Sequence, residues 1–415
     1  MRFIKSSMWA GAVVGVKAFG NILINKLISS YYQSPDVFAL LAHFQNLLGI
    51  FLSVPADGIN QGIVKYLSDK NLKKTDYYNY YYAGLFLNLL VFGVCFVSLW
   101  FYKDYFTSVF SISENRSLWI IGVGIVILAQ LLTLYFQSLL LAFQELKVYA
   151  LLNAAGIISA VAFCYFALGN FNFPVVLLAV GLGNSGLFLI NIIFIVKRHF
   201  PTISIGKPKM EALKKLGDFV LMALSILLFG KMVDFVVRQF AMNSFSTYQT
   251  GLWQTVVKFS DYYTAAFGSL IAMVYFPKIS EYINDFDVLK RYVREVAIII
   301  IPLIASGLIA IYFLREYILV LFFDEHFRSA ERFFLFQLIG DFLKMTSFLL
   351  AYLINAQART GLFIVSQGLS ALLYIGLIFL CSSYIGIDGF PLAHTLRYVV
   401  YCIFIVGLYR KLIFA

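Results

Sequence analysis

The sequence predicts an all-α polytopic membrane protein of about twelve transmembrane helices in two six-helix lobes, and three observations carry that prediction. Apolar residues make up 61% of the 415 and charged ones only 13%, about half the charged fraction of a soluble domain. The mean hydropathy is +0.85. The apolar residues fall in stretches of about twenty, the length that crosses a bilayer core, and the two halves of the chain repeat.

The first stretch, 8–30, follows a basic start and runs past Lys17. That is too long for a signal-peptide core, so it reads as a retained helix. The second, 38–66, ends at Lys65, and the third, 78–102, opens on the cluster Tyr77, Tyr78, Tyr80, Tyr81 and Tyr82. Such a cluster reads as an interfacial aromatic belt or as a platform for sugar stacking. The fourth, 117–140, carries Gln130 and Gln137, with Gln144 beyond it at the same spacing, a stripe suited to bonds between helices or to sugar contact. Stretches at 148–169 and 173–197 complete the first half. A basic segment at 201–213 divides the predicted lobes, 1–200 and 214–415. Six more stretches follow at 214–240, 250–277, 292–313, 332–355, 360–383 and 390–408, and no connection is long enough for a catalytic domain.

Orientation follows from the loops. With the N-terminus inside, twenty basic residues flank the spans on the cytoplasmic side and five on the other, which places both termini in the cytoplasm. Topology thus accounts for the net charge of +11, and nothing points to nucleic acid. Cys95, Cys164, Cys381 and Cys402 lie singly in apolar stretches, as packing residues rather than metal ligands or disulfides.

The repeat has a shift of 212–214 residues. Of the thirteen basic residues before position 203, nine meet another basic residue at that shift, including Lys17 with Lys231 and Lys26 with Arg238. The string Phe101-Tyr102-Lys103-Asp104-Tyr105 falls on Phe313-Leu314-Arg315-Glu316-Tyr317. An even number of helices per half makes the repeats parallel, an arrangement used for alternating access.

Eleven ionisable residues lie within the spans: Lys17, Lys26, Asp57, Lys231, Asp234, Arg238, Lys258, Asp261, Asp341, Lys344 and Arg397. Each is costly in hydrocarbon and is expected to face a cavity or a partner. Lys17, Asn21 and Asn25 share one stripe, while Lys26, on the opposite face near the outer end, can snorkel. Gln254, Lys258 and Asp261 have the same i, i+4, i+7 spacing as Gln337, Asp341 and Lys344. Lys231, Asp234 and Arg238 form a third stripe. Each carboxylate either neutralises its neighbouring base or serves a cargo or a coupling ion. Seven bases against four acids leave three positive charges, which favours an anionic cargo passing Lys17, Lys231, Arg238, Lys258, Lys344 and Arg397. The polar groups beside them are Asn21, Asn25, Gln254 and Gln337. Asp57, Asp234, Asp261 and Asp341 are the candidates for H⁺ or Na⁺ coupling. His43 and His394 stand alone in the sequence and are given no role. The sequence holds no nucleophile constellation, metal cluster, phosphate loop or other cofactor motif.

Several strings resemble Wzx-type flippases of the multidrug/oligosaccharidyl-lipid/polysaccharide (MOP) superfamily, above all those for the enterobacterial common antigen precursor. They are Ser7-Met8-Trp9-Ala10 with Val16-Lys17, Gly58-Ile59 with Gly62 and Lys65-Tyr66, and Gly251-Leu252-Trp253-Gln254 with Ser260-Asp261. The most specific is Gln337-Leu338-Ile339-Gly340-Asp341-Phe342-Leu343-Lys344, running on to Tyr352-Leu353. The resemblance covers essentially the whole chain. It implies a V-shaped two-lobed transporter in the bacterial inner membrane that passes an undecaprenyl-diphosphate-linked oligosaccharide (an O-antigen unit or the common-antigen lipid III) to the periplasmic leaflet. It also implies a cationic lumen, no enzymatic activity, and a glycan polymerase and chain-length regulator as pathway partners. Lys17, Asp261, Asp341 and Lys344 match the family by position, whereas Asp57 and Lys258 stand outside its pattern. Two other readings remain: a multidrug or cation extruder, which calls for an acidic lumen, and a membrane glycan polymerase or glycosyltransferase, which calls for a large outer loop or an acidic motif in a loop.

Overall fold

A computed structural model of the chain describes residues 2–67, 74–110, 112–143, 145–183, 185, 209–283, 285–357, 359–410 and 412. Lys197, Arg198, Lys207, Gln144 and most of the 201–213 segment lie outside them. The described residues hold no strand. In a membrane this is the economical solution, because a helix satisfies its own backbone polar groups.

Among the described residues each predicted stretch coincides with a helix, the sixth only as far as Gly183. In chain order these are α1 (Arg2–Tyr32), α2 (Pro35–Leu67), α3 (Lys74–Phe101), α4 (Arg116–Ala142), α5 (Leu146–Asn170) and α6, described over Phe173–Gly183. The second half has α7 (Met210–Ser244), α8 (Thr247–Leu270 continued to Glu281), α9 (Phe286–Phe322), α10 (Glu325–Ala356), α11 (Thr360–Ile385) and α12 (Gly389–Leu408). Among the described residues, eight segments are long and apolar enough on their own to cross a membrane. One of them, Gly361–Leu408, takes in both α11 and α12. The structure adds a short helix at Lys103–Val109, within a segment read as loop. It also lengthens α9 to 37 residues, roughly 55 Å at 1.5 Å per residue, well beyond a hydrocarbon core of ~30 Å.

Three helices contain a wide π turn: Pro55–Ile59 in α2, Leu227–Lys231 in α7 and Ile271–Tyr275 in α8. Two have an evident cause. Proline lacks the N–H that an α-helical ladder needs, and Pro55 opens the first wide turn while Pro277 follows the third. In α7 the turn contains Gly230, a poor helix former.

Contacts divide the chain into two compact units, Met1–Tyr31 with Leu40–Phe235 and Tyr32–Ala39 with Val236–Ala415. This division falls within α7 and not in the loop before it, because the first part of α7 lies along α2. Phe235 stacks on His43 at 4.4 Å. A Cβ at Gly58 would come within 2.8 Å of both the Phe219 carbonyl and Ala223, so the backbones approach closely there, as small residues permit in membranes. An aromatic core joins α2, α3, α4 and the start of α7 in the first unit. Tyr80 and Tyr81, read above as belt or platform, are buried in it with Ile59, Ile63 and Phe136. The Tyr135 hydroxyl donates to the Tyr81 carbonyl at 2.7 Å, and Tyr66 stacks on Tyr80 at 5.1 Å. Tyr78 and Tyr82, one turn apart, stack on each other at the edge of that core.

In the second unit, Phe38 packs edge-on against Phe323 and Phe327. Close by, a Cβ on Gly251 would land on the Pro35 carbonyl. Gly251→Val is therefore expected to lower the stability of the purified protein by about 1–3 kcal/mol, the usual cost of overpacking. Gly93→Val, at a glycine with nothing within 4 Å, should leave it unchanged. Equal melting temperatures for the two variants in detergent would contradict this contact.

Candidate functional site

The predicted residues gather in separate groups within each unit. In the first unit, Lys17 and Asn21 line a cavity of about 220 Å³ between α1, α4, α5 and α6. Among the described residues no acidic side chain lies within salt-bridge distance of Lys17. Asn25, on the same stripe, is 4% exposed and packs within the unit. Lys231 also belongs to the first unit and is exposed. Its side chain passes near Gly49 and acts electrostatically on Asp57. The Ser53 hydroxyl donates to the other side of that carboxylate at 3.3 Å. Asp57 thus faces Lys231 across α2 and α7, whereas Asp234, its neighbour in the sequence stripe, is exposed and forms no ion pair with it.

The second unit contains a buried network centred on Asp341. Its carboxylate is fully buried and accepts from the Ser260 hydroxyl at 2.5 Å, from Tyr263 and from the Gln337 amide at 3.3 Å. His394 Nε2 sits 3.0 Å from Oδ1. The helices explain the convergence. Gln337 and Asp341 are four residues apart on α10, Ser260 and Tyr263 three apart on α8, and both spacings put the pair on one face. Gly340 makes room for α12: a Cβ there would strike the His394 ring. Lys344, one turn below Asp341, lies within electrostatic reach of Asp341, Asp261 and Arg397. The Arg397 guanidinium is held between Tyr374 and Tyr398, 5.0 and 5.1 Å from their ring centres, and its Nε donates to Ser370 at 2.8 Å.

The remaining members differ in surroundings. Arg238 is 7% exposed and has an interaction partner. Lys258 and Asp261 also have partners. Gln254 is fully buried, and neither end of its amide is hydrogen-bonded, so in this structure it does not line an open surface.

Sequence reasoning missed His394, Ser260 and Tyr263. A signal for the first was present: His394 precedes Arg397 by three residues, which puts both on one face of α12. Ser260 stood in the string Ser260-Asp261 but was given no role, and Tyr263 carried no signal, since an aromatic in an apolar helix is an ordinary packing residue. The described residues contain no cluster able to hold a metal.

No family model matches the chain. It is 22% identical over 382 residues to the lipid III flippase of Escherichia coli (strain K12), an alignment covering 88% of each chain, and the Shigella flexneri lipid III flippase matches equally. Among solved structures, an inward-facing multidrug-resistance transporter of the MATE family of the MOP superfamily superposes with a TM-score of 0.78. That match has 11% identity over 97% of this chain and 95% of the other. The chain has the same fold. Lipid II flippase MurJ in an inward closed conformation shares it, with a TM-score of 0.75 and 13% identity over 98% of this chain and 87% of that one.

Proposed function

We propose that the chain is a flippase that carries a polyprenyl-diphosphate-linked oligosaccharide from the cytoplasmic to the outer leaflet of the bacterial inner membrane, with both termini cytoplasmic. The observation that carries this reading is Lys17. It is an ammonium group inside a membrane helix, at a polar cavity and with no described carboxylate to pair with it. A fixed positive charge costs several kcal/mol in a low-dielectric interior unless something answers it, and a diphosphate does so. A transporter for cations would place an acid there. The similarity to lipid III flippases over most of the chain supports the same cargo class.

Around this core we place Lys231, Arg238, Lys258, Lys344 and Arg397 as further cations along the route of the anion. The repeat halves, 1–200 and 214–415, are the bodies that exchange access. Asp341, Asp261, Asp234 and Asp57 are the carboxylates available to a coupling proton or Na⁺. A glycan polymerase with its chain-length regulator would receive the product.

The test uses purified protein in liposomes loaded with a fluorescent polyprenyl-diphosphate oligosaccharide. Transbilayer movement, read by an impermeant quencher, should exceed that of protein-free liposomes. Export of cationic dyes with no movement of the lipid would replace this reading with that of a multidrug extruder.

A further inference from the structure

The cavity at Lys17 has a hydrogen-bonding character of its own. Besides Lys17 and Asn21, its polar lining consists of Gln130, Thr133 and Gln137 of α4, Asn153 of α5 and Ser185 after α6. Four of these five each donate one hydrogen to a backbone carbonyl. The Gln130 amide donates to the Gly181 carbonyl at 2.7 Å and that of Asn153 to the Tyr149 carbonyl at 2.7 Å. Thr133 donates to the Ala129 carbonyl at 2.8 Å and Ser185 to that of Leu182 at 3.0 Å. What they retain is oxygen lone pairs, together with the second N–H of the Gln130 and Asn153 amides. Gln137 is different: it is 8% exposed and its amide is bonded to none of the described residues. It offers both a donor and an acceptor to whatever fills the cavity.

This inventory selects a ligand class. A cation would suit the acceptors but is repelled by Lys17. A bare anion would suit Lys17 but meets oxygen lone pairs on the remaining walls. A hydroxyl-rich neutral group attached to an anion satisfies both. The volume of about 220 Å³ is below the ~300–1,000 Å³ of drug-sized sites, which limits the occupant to about one ring.

We propose that this cavity is a sugar subsite, in which the amides of Gln130, Gln137 and Asn153 receive the first sugar ring of the lipid-linked glycan while Lys17 holds the adjoining phosphate. The proposal rests on the flippase reading and extends it to recognition of the glycan.

The test measures binding to the full-length protein in nanodiscs with two probes: a short-chain polyprenyl diphosphate carrying one N-acetylhexosamine, and the same polyprenyl diphosphate without sugar. Gln137→Leu breaks no internal hydrogen bond. It should weaken the sugar-bearing probe about tenfold, as loss of one good hydrogen-bonding group does, and leave the bare diphosphate unchanged. Lys17→Gln should weaken both. If Gln137→Leu does not fold, Asn21→Ala, at an exposed lining position, should discriminate between the probes in the same direction. Equal affinities for both probes in wild type and variant would overturn the subsite and leave the flippase reading standing. Wild-type protein that binds neither probe would overturn the flippase reading itself.

Discussion

Lys17→Glu is expected to abolish transport of the lipid-linked oligosaccharide while the protein still inserts and folds. Two unit charges at about 4 Å interact by roughly 4 kcal/mol at an effective dielectric of 20. Reversal turns that attraction into repulsion of similar size. Each 1.4 kcal/mol is a factor of ten, so the loss should exceed about a hundredfold. Lys17→Arg keeps the charge and should retain most activity. Lys231→Glu tests the second cation and carries a signature specific to its surroundings. The reversed side chain would face Asp57, so the double variant Lys231→Asp with Asp57→Lys should recover part of what the single change loses. Asp234→Asn should be milder than Lys231→Gln, because Asp234 is exposed and does not pair with the lysine. Transport near the wild-type level in both charge reversals, measured in liposomes with the labelled lipid, would exclude a cationic pathway.

Asp341→Ala should be the most damaging substitution for the second unit. The change would leave Ser260, Tyr263, Gln337 and His394 without the acceptor they share, deep among α8, α10 and α12. Each stranded buried polar group costs about 1–3 kcal/mol. Breaking a buried charged cluster by removing one member typically costs about 3–5 kcal/mol. The loss should therefore appear as a melting temperature lowered by many degrees and as poor recovery from membranes. Asp341→Asn keeps an acceptor and a similar shape, so it should fold. If Asp341 also takes part in ion coupling, the Asn variant should flip lipid at a rate that no longer responds to an imposed proton or Na⁺ gradient. An Ala variant as stable as wild type would mean that the network does not form.

The fold could be read from the sequence because membrane insertion writes its requirements in long apolar runs. Every stretch within the described residues needed only that. The site was legible in part. Lys17, Gln337, Asp341 and Lys344 announced themselves because a charge or an amide in an apolar helix needs a reason. His394 did not, since its reason is a residue 53 positions away on another helix, and no spacing along α12 encodes that distance. Tyr80 and Tyr81 misled for the opposite cause. Tyrosine suits an interface and a core alike, and which it occupies depends on the turn of α3 toward Ile59 and Ile63. Gln254 shared its pattern with Gln337, yet one amide joins a network and the other is sealed off, so equal spacing did not bring equal surroundings.

The wide turns in α2, α7 and α8 give these helices slack. A π turn holds one residue more than the α-helical turn it replaces, and one residue is about 100° of rotation. Moving the extra residue along the helix, one hydrogen bond at a time, would swing the side chains it passes through that angle without unwinding the ends. In α7 the wide turn closes on Lys231 itself, so a shift of a single residue would re-aim that ammonium group. In α2 the turn holds Asp57, the carboxylate that Lys231 faces. Two helices that each store one spare residue beside opposite charges can form and release an ion pair by a change of register, at the cost of a few backbone hydrogen bonds and with no hinge in the loops.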